Sequence, residues 1–132
     1  MRIAVAGSKN WNNYNELMRQ LTLLIEDYAS NDHEDNKIVF VHTGATGAEN
    51  MVTEYVGKIE AFMRQKGYVV KDYVYRPKNL ESVPGYRVSR DNQMLENGAD
   101  RAIVFIKDSC KRTEAFARLA KAYEIPTVIV RG

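Results

Sequence analysis

The stretch "IVFVHTGATGAENMVTEYV", residues 38–56, decides how the chain is read. Its first four residues, Ile38–Val41, are apolar without interruption, as a parallel strand covered on both faces requires. The segment His42-Thr-Gly-Ala-Thr-Gly47 then stops the run. Beyond it Val52, Tyr55, Val56, Ile59, Phe62 and Met63 recur at helical spacing, and Gly67 is placed to end that helix. A strand, a glycine–threonine turn and a helix make one half of a β-α-β unit. The turn raises a specific question: either the backbone there approaches a phosphate, or it is only a tight turn.

The same reading extends in both directions. Apolar runs recur at Ile3–Ala6, Val69–Tyr75, Ile103–Ile106 and Thr127–Val130. The run at Val69–Tyr75 differs, because Lys71 and Asp72 interrupt it and suit a partly exposed edge strand. Helical stripes lie between the runs: Leu17, Leu21, Leu24, Ile25 and Tyr28 in the first, and Phe116, Leu119, Ala120 and Tyr123 in the last. A shorter helix is expected from about Ser89 to Leu95, stopped near Asn97-Gly98. Strand and helix alternate throughout, which predicts a three-layer α/β/α Rossmann-like sandwich around a five-stranded parallel sheet of order 3-2-1-4-5. At 132 residues the chain reads as one domain, 1–132. Two segments read as long loops, Asn31–Asn36 and Pro77–Arg87.

Composition narrows the function classes. The net charge is only +2, so nothing in it calls for a polyanion partner. The single cysteine, Cys110, excludes an internal disulfide and fits a reducing compartment. His33 and His42 have no metal-ligand spacing, so neither a metal nor an organic cofactor is expected. The apolar run of "MRIAVAG" is too short for a signal peptide, and no stretch reaches the length of a membrane span. A cytoplasmic protein with no membrane partner is expected.

In an open parallel sheet a ligand lies beyond the carboxyl ends of the strands. Three segments meet that condition: Gly7-Ser-Lys-Asn-Trp11, His42–Asn50 and Lys107–Thr113. Gly7, Gly44 and Gly47 permit close backbone approach, while Ser8, Thr43, Thr46, Ser109 and Thr113 offer hydroxyls. The helix beginning near Gly47 turns its free N–H groups and positive dipole end to the same crevice. Lys9, Lys107, Lys111 and Arg112 add charge at the rim. None of the three segments is a G-x-G-x-x-G fingerprint or a Walker A loop.

Four segments in series carry a resemblance over nearly the whole chain. "MRIAVAGSKNW", "HTGATGAENMVTEYV", "GYRVSRDNQMLENGADRAIVFIKDS" and "SCKRTEAFARLAKAYEIPTVIV" resemble, in order, the corresponding segments of the SLOG superfamily. That superfamily includes the lysine-decarboxylase-like phosphoribohydrolases, the DprA-type DNA-processing domains and many small sensors. The resemblance implies a Rossmann-like fold that binds a nucleotide or nucleotide-derived ligand at the glycine-rich edge. The chain departs from the pattern at named places. Arg90-Asp91 stands where the family has Arg-Asn, with Asn92 one place later, and an acid there suits a sugar hydroxyl and not a phosphate. Glu49 replaces an aspartate, and Arg112-Thr113, preceded by Lys111, replaces Gly-Thr. The hydrolases' Pro-Gly-Gly-x-Gly-Thr-x-x-Glu run is missing, and Phe116 stands where its glutamate falls.

The expected function is therefore binding of a nucleotide or nucleotide sugar, as a sensor, carrier or sequestering protein. Gly7, Ser8, Lys9, Gly44, Gly47 and Thr113 are the candidates for the phosphate cradle, with Arg90, Lys111 and Arg112 neutralising charge, and Thr43 and Ser109 are ligand-binding candidates beside it. Asn92 is a further ligand-binding candidate, and Glu49 or Asp91 is the candidate for the ribose. Trp11 either covers the base or anchors its loop, and His42 is either an acid/base group or a hydrogen-bonding partner of a turn. An alternative is a nucleoside or nucleotide N-glycosidase, or a deoxyribosyltransferase, with Glu49 or Asp91 as catalytic group. A third is a module on single-stranded DNA, against which the small net charge argues. A homodimer through a helix face suits such a fold.

Overall fold

The computed structural model describes the backbone of residues 1–31, 35–75 and 86–132, and the side chains of all of these except 86–89. The elements run β1 (Arg2–Gly7), α1 (Tyr14–Ala29), β2 (Lys37–His42), α2 (Ala48–Gln65), β3 (Val69–Val74), α3 (Tyr86–Glu96), β4 (Arg101–Ile106), α4 (Lys111–Ala122) and β5 (Thr127–Arg131). The five strands form one sheet in the order β3-β2-β1-β4-β5, and all four strand pairs are parallel. The predicted fold class and strand order are what the chain adopts.

The central strand shows how the two faces are separated. Ile3 and Val5 of β1 pack with α1 and α2 residues such as Leu17, Leu21, Val52 and Tyr55. Ala4 and Ala6 point the other way, toward Met94 and Leu95 of α3 and Phe116, Ala117 and Ala120 of α4. Alternation of side chains along a strand makes this inevitable once both faces are covered. The difference in residue size has a consequence: the alanines leave room for the Phe116 ring, which is fully buried above the sheet. β3 is an edge strand, as Lys71 and Asp72 suggested, and Val70 is its one fully buried residue.

Element limits shift in one place. α3 starts at Tyr86 and not near Ser89. Among the described side chains its buried apolar residues, Met94 and Leu95, lie in its second half, which is where apolar periodicity signals the helix. Of the two expected loops, residues 32–34 and 77–85 lie outside the described residues, while residues 86–87 belong to α3.

Two glycines set the distance between β1 and α2. A Cβ built on Gly7 would stand 2.2 Å from the Ala48 Cβ. One on Gly47 would stand 2.4 Å from the Ser8 carbonyl oxygen and 2.6 Å from that of Lys9, and Gly47 has φ +86° besides. Gly57, inside α2, has no atom within 4 Å of a built Cβ. Gly47→Ala is therefore expected to lower unfolding free energy by roughly 1–3 kcal/mol or more, from strain plus displaced backbone. Gly57→Ala is expected to raise it by about 1 kcal/mol through helix propensity. Urea unfolding of both variants checks the pair, and equal small effects would contradict the close approach.

Candidate functional site

The loops after β1, β2 and β4 meet at the carboxyl edge, and Ser8 is where they join. Its N–H donates to the Phe105 carbonyl at 2.9 Å, and its carbonyl accepts from Trp11 N at 3.1 Å and Ala48 N at 3.5 Å. Its hydroxyl accepts from Lys107 N at 2.9 Å and lies 3.5 Å from the Thr113 hydroxyl, which itself donates to the Cys110 carbonyl at 2.9 Å. One serine thus links β1, the start of α2, the β4 loop and α4. Ser8 and Thr113 are both buried, as groups engaged this way usually are.

The second loop closes on itself in a similar manner. The Thr43 N–H and hydroxyl both donate to Glu49 Oε1, at 2.7 and 2.6 Å. The Gly44 N–H donates to His42 Nδ1 at 3.0 Å, and Gly44 has φ +75°. Since Nδ1 accepts, the ring proton sits on Nε2, which lies 3.1 Å from Asp72 Oδ2. Thr53 completes the group, its hydroxyl donating to the same Asp72 oxygen at 2.7 Å. Of its two readings, His42 matches the bonded turn through these contacts. Its partners Asp72 and Thr53 come from β3 and α2, thirty and eleven residues away, a separation that no local pattern reveals.

The close approach made by Gly7 and Gly47 is between segments of the protein, and the Gly44 N–H is taken by His42. Trp11 takes the anchoring role: its ring is buried, its centroid lies 5.2 Å from that of Phe105, and its indole N–H donates to the Asn13 carbonyl at 3.0 Å. Lys9, Ser109 and Lys111 are exposed at the rim. Asn92 is turned away from the other candidates, its side-chain oxygen accepting from the Tyr123 hydroxyl at 2.7 Å beyond the far end of α4.

What the fold does bring together is a charged triad. Arg112, in the first turn of α4, places Nη1 3.4 Å from Glu49 Oε2 and Nη2 3.4 Å from Asp91 Oδ1. Glu49 comes from α2 and is wholly buried; Asp91 comes from α3 and is 5% exposed. Arg90 Nε stands 3.8 Å from the same Asp91 oxygen. Burial pushes the Asp91 carboxyl above its ordinary value, and Arg112 and Arg90 pull it down without cancelling that push, while Glu49 adds to it.

Beside the triad, a groove of about 620 Å³ runs along α4. Among the described residues it is lined by Asp91, Arg112, Ala115, Phe116, Arg118, Leu119 and Ala122. Asp91 lines this groove, whereas the wholly buried Glu49 does not. The sequence pointed to the Asp91 and Arg112 end but treated Phe116 and Leu119 as core alone. The available signal was that Ala115, Phe116, Leu119 and Ala122 make an apolar stripe wider than the sheet needs.

Cys110 precedes α4 without forming a capping bond of its own. Burial raises its thiol, but the Thr113 hydroxyl and N–H, the Ser8 hydroxyl and the Arg112 N–H outweigh this, so it ionises below its ordinary value. No group of three or more His, Cys, Asp or Glu among the described residues is placed to hold a metal ion. No described helix is long and apolar enough to cross a membrane. Comparison with family models, curated proteins and solved structures finds no match to this chain.

A raised folded-state value means that the folded protein holds the Asp91 proton more tightly than the unfolded chain. The stability linked to this carboxyl is greatest below the unfolded value and falls as pH rises through the folded one. Asp91→Asn should remove that fall. We expect its urea midpoint to exceed that of the unaltered protein at neutral pH, with the gap closing below about pH 3.5. A variant less stable at neutral pH would show that the pairing with Arg112 outweighs burial.

Proposed function

We propose that this protein binds a nucleotide-derived ligand at the carboxyl edge of its sheet, as a sensor, carrier or sequestering protein. The observation that supports this reading best is the Glu49–Arg112–Asp91 triad opening on the groove along α4. A nucleotide-derived molecule combines a flat apolar base with a polar sugar, and the groove offers both halves. The wall of Ala115, Phe116, Leu119 and Ala122 suits the base, and Asp91 at its polar end suits sugar hydroxyls. The serial resemblance to SLOG domains points to the same ligand class and the same sheet edge.

One observation favours a second reading, turnover. Asp91 holds its proton above the ordinary value beside a second buried carboxylate, an arrangement suited to protonating a departing base. In that reading the N-glycosidic bond breaks, Asp91 protonates the base, and water takes the sugar carbon. Glu49, with Oε1 engaged by Thr43 and Oε2 facing Arg112, has no open side from which to attack that carbon.

Calorimetric titration with a panel of nucleosides and nucleotides tests the proposal. We expect at least one to bind, and Arg112→Ala to weaken it by about tenfold or more through loss of the group that orders both carboxylates. Free base accumulating over the same panel, and lost in Asp91→Asn, would establish turnover. A panel without any binder would refute the binding function.

A further inference from the structure

Building on the nucleotide-ligand reading, we infer that this site recognises the uncharged nucleoside part of its ligand, and that added phosphates weaken binding. The first ground is that, among the described residues, several of the loop donors that a phosphate would use are already engaged. Both Thr43 donors are spent on Glu49, the Gly44 N–H on His42, and the Ser8 hydroxyl bridges Lys107 and Thr113. The space above Gly7 and Gly47 is filled by Ala48 and by the Ser8 and Lys9 carbonyls, whose oxygens would repel an anion.

The second ground is charge. Arg112 is the cation best placed to grip a phosphate, yet each of its terminal nitrogens already faces a buried carboxylate. Drawing it toward a phosphate would leave Glu49 and Asp91 without their counter-ion, a costly outcome at buried positions. Arg112 is thus an internal counter-ion. Among the described residues Lys9, Lys111 and Arg118 are exposed cations at the rim, where water and salt screen them.

The third ground is what Asp91 offers. It is the carboxyl that lines the groove, and a carboxyl accepts hydrogen bonds from a pair of sugar hydroxyls as readily as it repels a phosphate. Next to it the groove wall is aliphatic and aromatic: Ala115, Phe116, Leu119 and Ala122. A neutral molecule with a flat apolar end and a hydroxyl-bearing end satisfies both. An anion satisfies neither.

The test compares adenosine, guanosine, cytidine and uridine with their 5′-mono- and triphosphates by titration calorimetry, at low and at physiological salt. We expect a nucleoside to bind, and its triphosphate to bind roughly three- to tenfold more weakly, with the gap narrowing as salt rises. Asp91→Asn should weaken the nucleoside by about tenfold and shrink the penalty for the triphosphate. Affinity that climbs with phosphate number, with nucleosides unbound, would overturn this inference while leaving nucleotide binding intact. Binding of neither class would overturn both, as would a chain that dimerises through this groove, seen as Leu119→Glu yielding monomers without any nucleoside binding.

Discussion

Gly7 and Gly47 let the start of α2 settle directly onto the loop leaving β1, and the other contacts of the carboxyl edge are built from that approach. With Ala48 against Gly7, the Ala48 N–H reaches the Ser8 carbonyl. Ser8 in turn holds the β4 loop through Lys107 and the first turn of α4 through Thr113. The position of Arg112, one residue before Thr113, follows from this chain of contacts. So does that of Glu49, one residue after Ala48. A side chain added at either glycine would move both partners of the triad at once.

The charge and donors of the carboxyl edge are partly matched within the protein. Lysines, arginines, hydroxyls and glycines grouped after three strands look like an anion site. In three dimensions the Ser8, Thr43 and Thr113 hydroxyls and the Thr43 and Gly44 N–H groups are taken by neighbours, and the interior arginine is matched against two carboxylates. The exposed cations stay at the rim, screened by solvent. Among the described residues, an apolar groove with one carboxyl at its end lies beside this triad.

The two faces of the sheet divide the work. Ile3, Val5, Phe40 and Phe105 form a thick core with α1 and α2, in which Trp11 is also packed. The opposite face is built on small residues of the central strands, Ala4, Ala6 and Ala102, beneath α3 and α4. Phe116 is buried in this core and touches the groove only along the 2% of its surface that is exposed. The same ring therefore contributes both to stability and to the shape of the proposed binding wall.

The sequence by itself determined the fold. Uninterrupted apolar strands alternating with amphipathic helices leave few ways to cover both faces of a sheet, and right-handed crossovers select the strand order. It also determined which edge carries the candidate site, because that edge follows from chain direction alone. Position on the edge did not reveal allegiance. Whether the Gly44 N–H faces a ligand or His42, or whether Arg112 faces a phosphate or Glu49, depends on partners from 2 to 63 residues away. The His42–Asp72–Thr53 group and the groove along α4 were hidden for the same reason. Tertiary structure decided these matters, since a buried polar group takes whichever partner the packing of distant elements brings within hydrogen-bond reach.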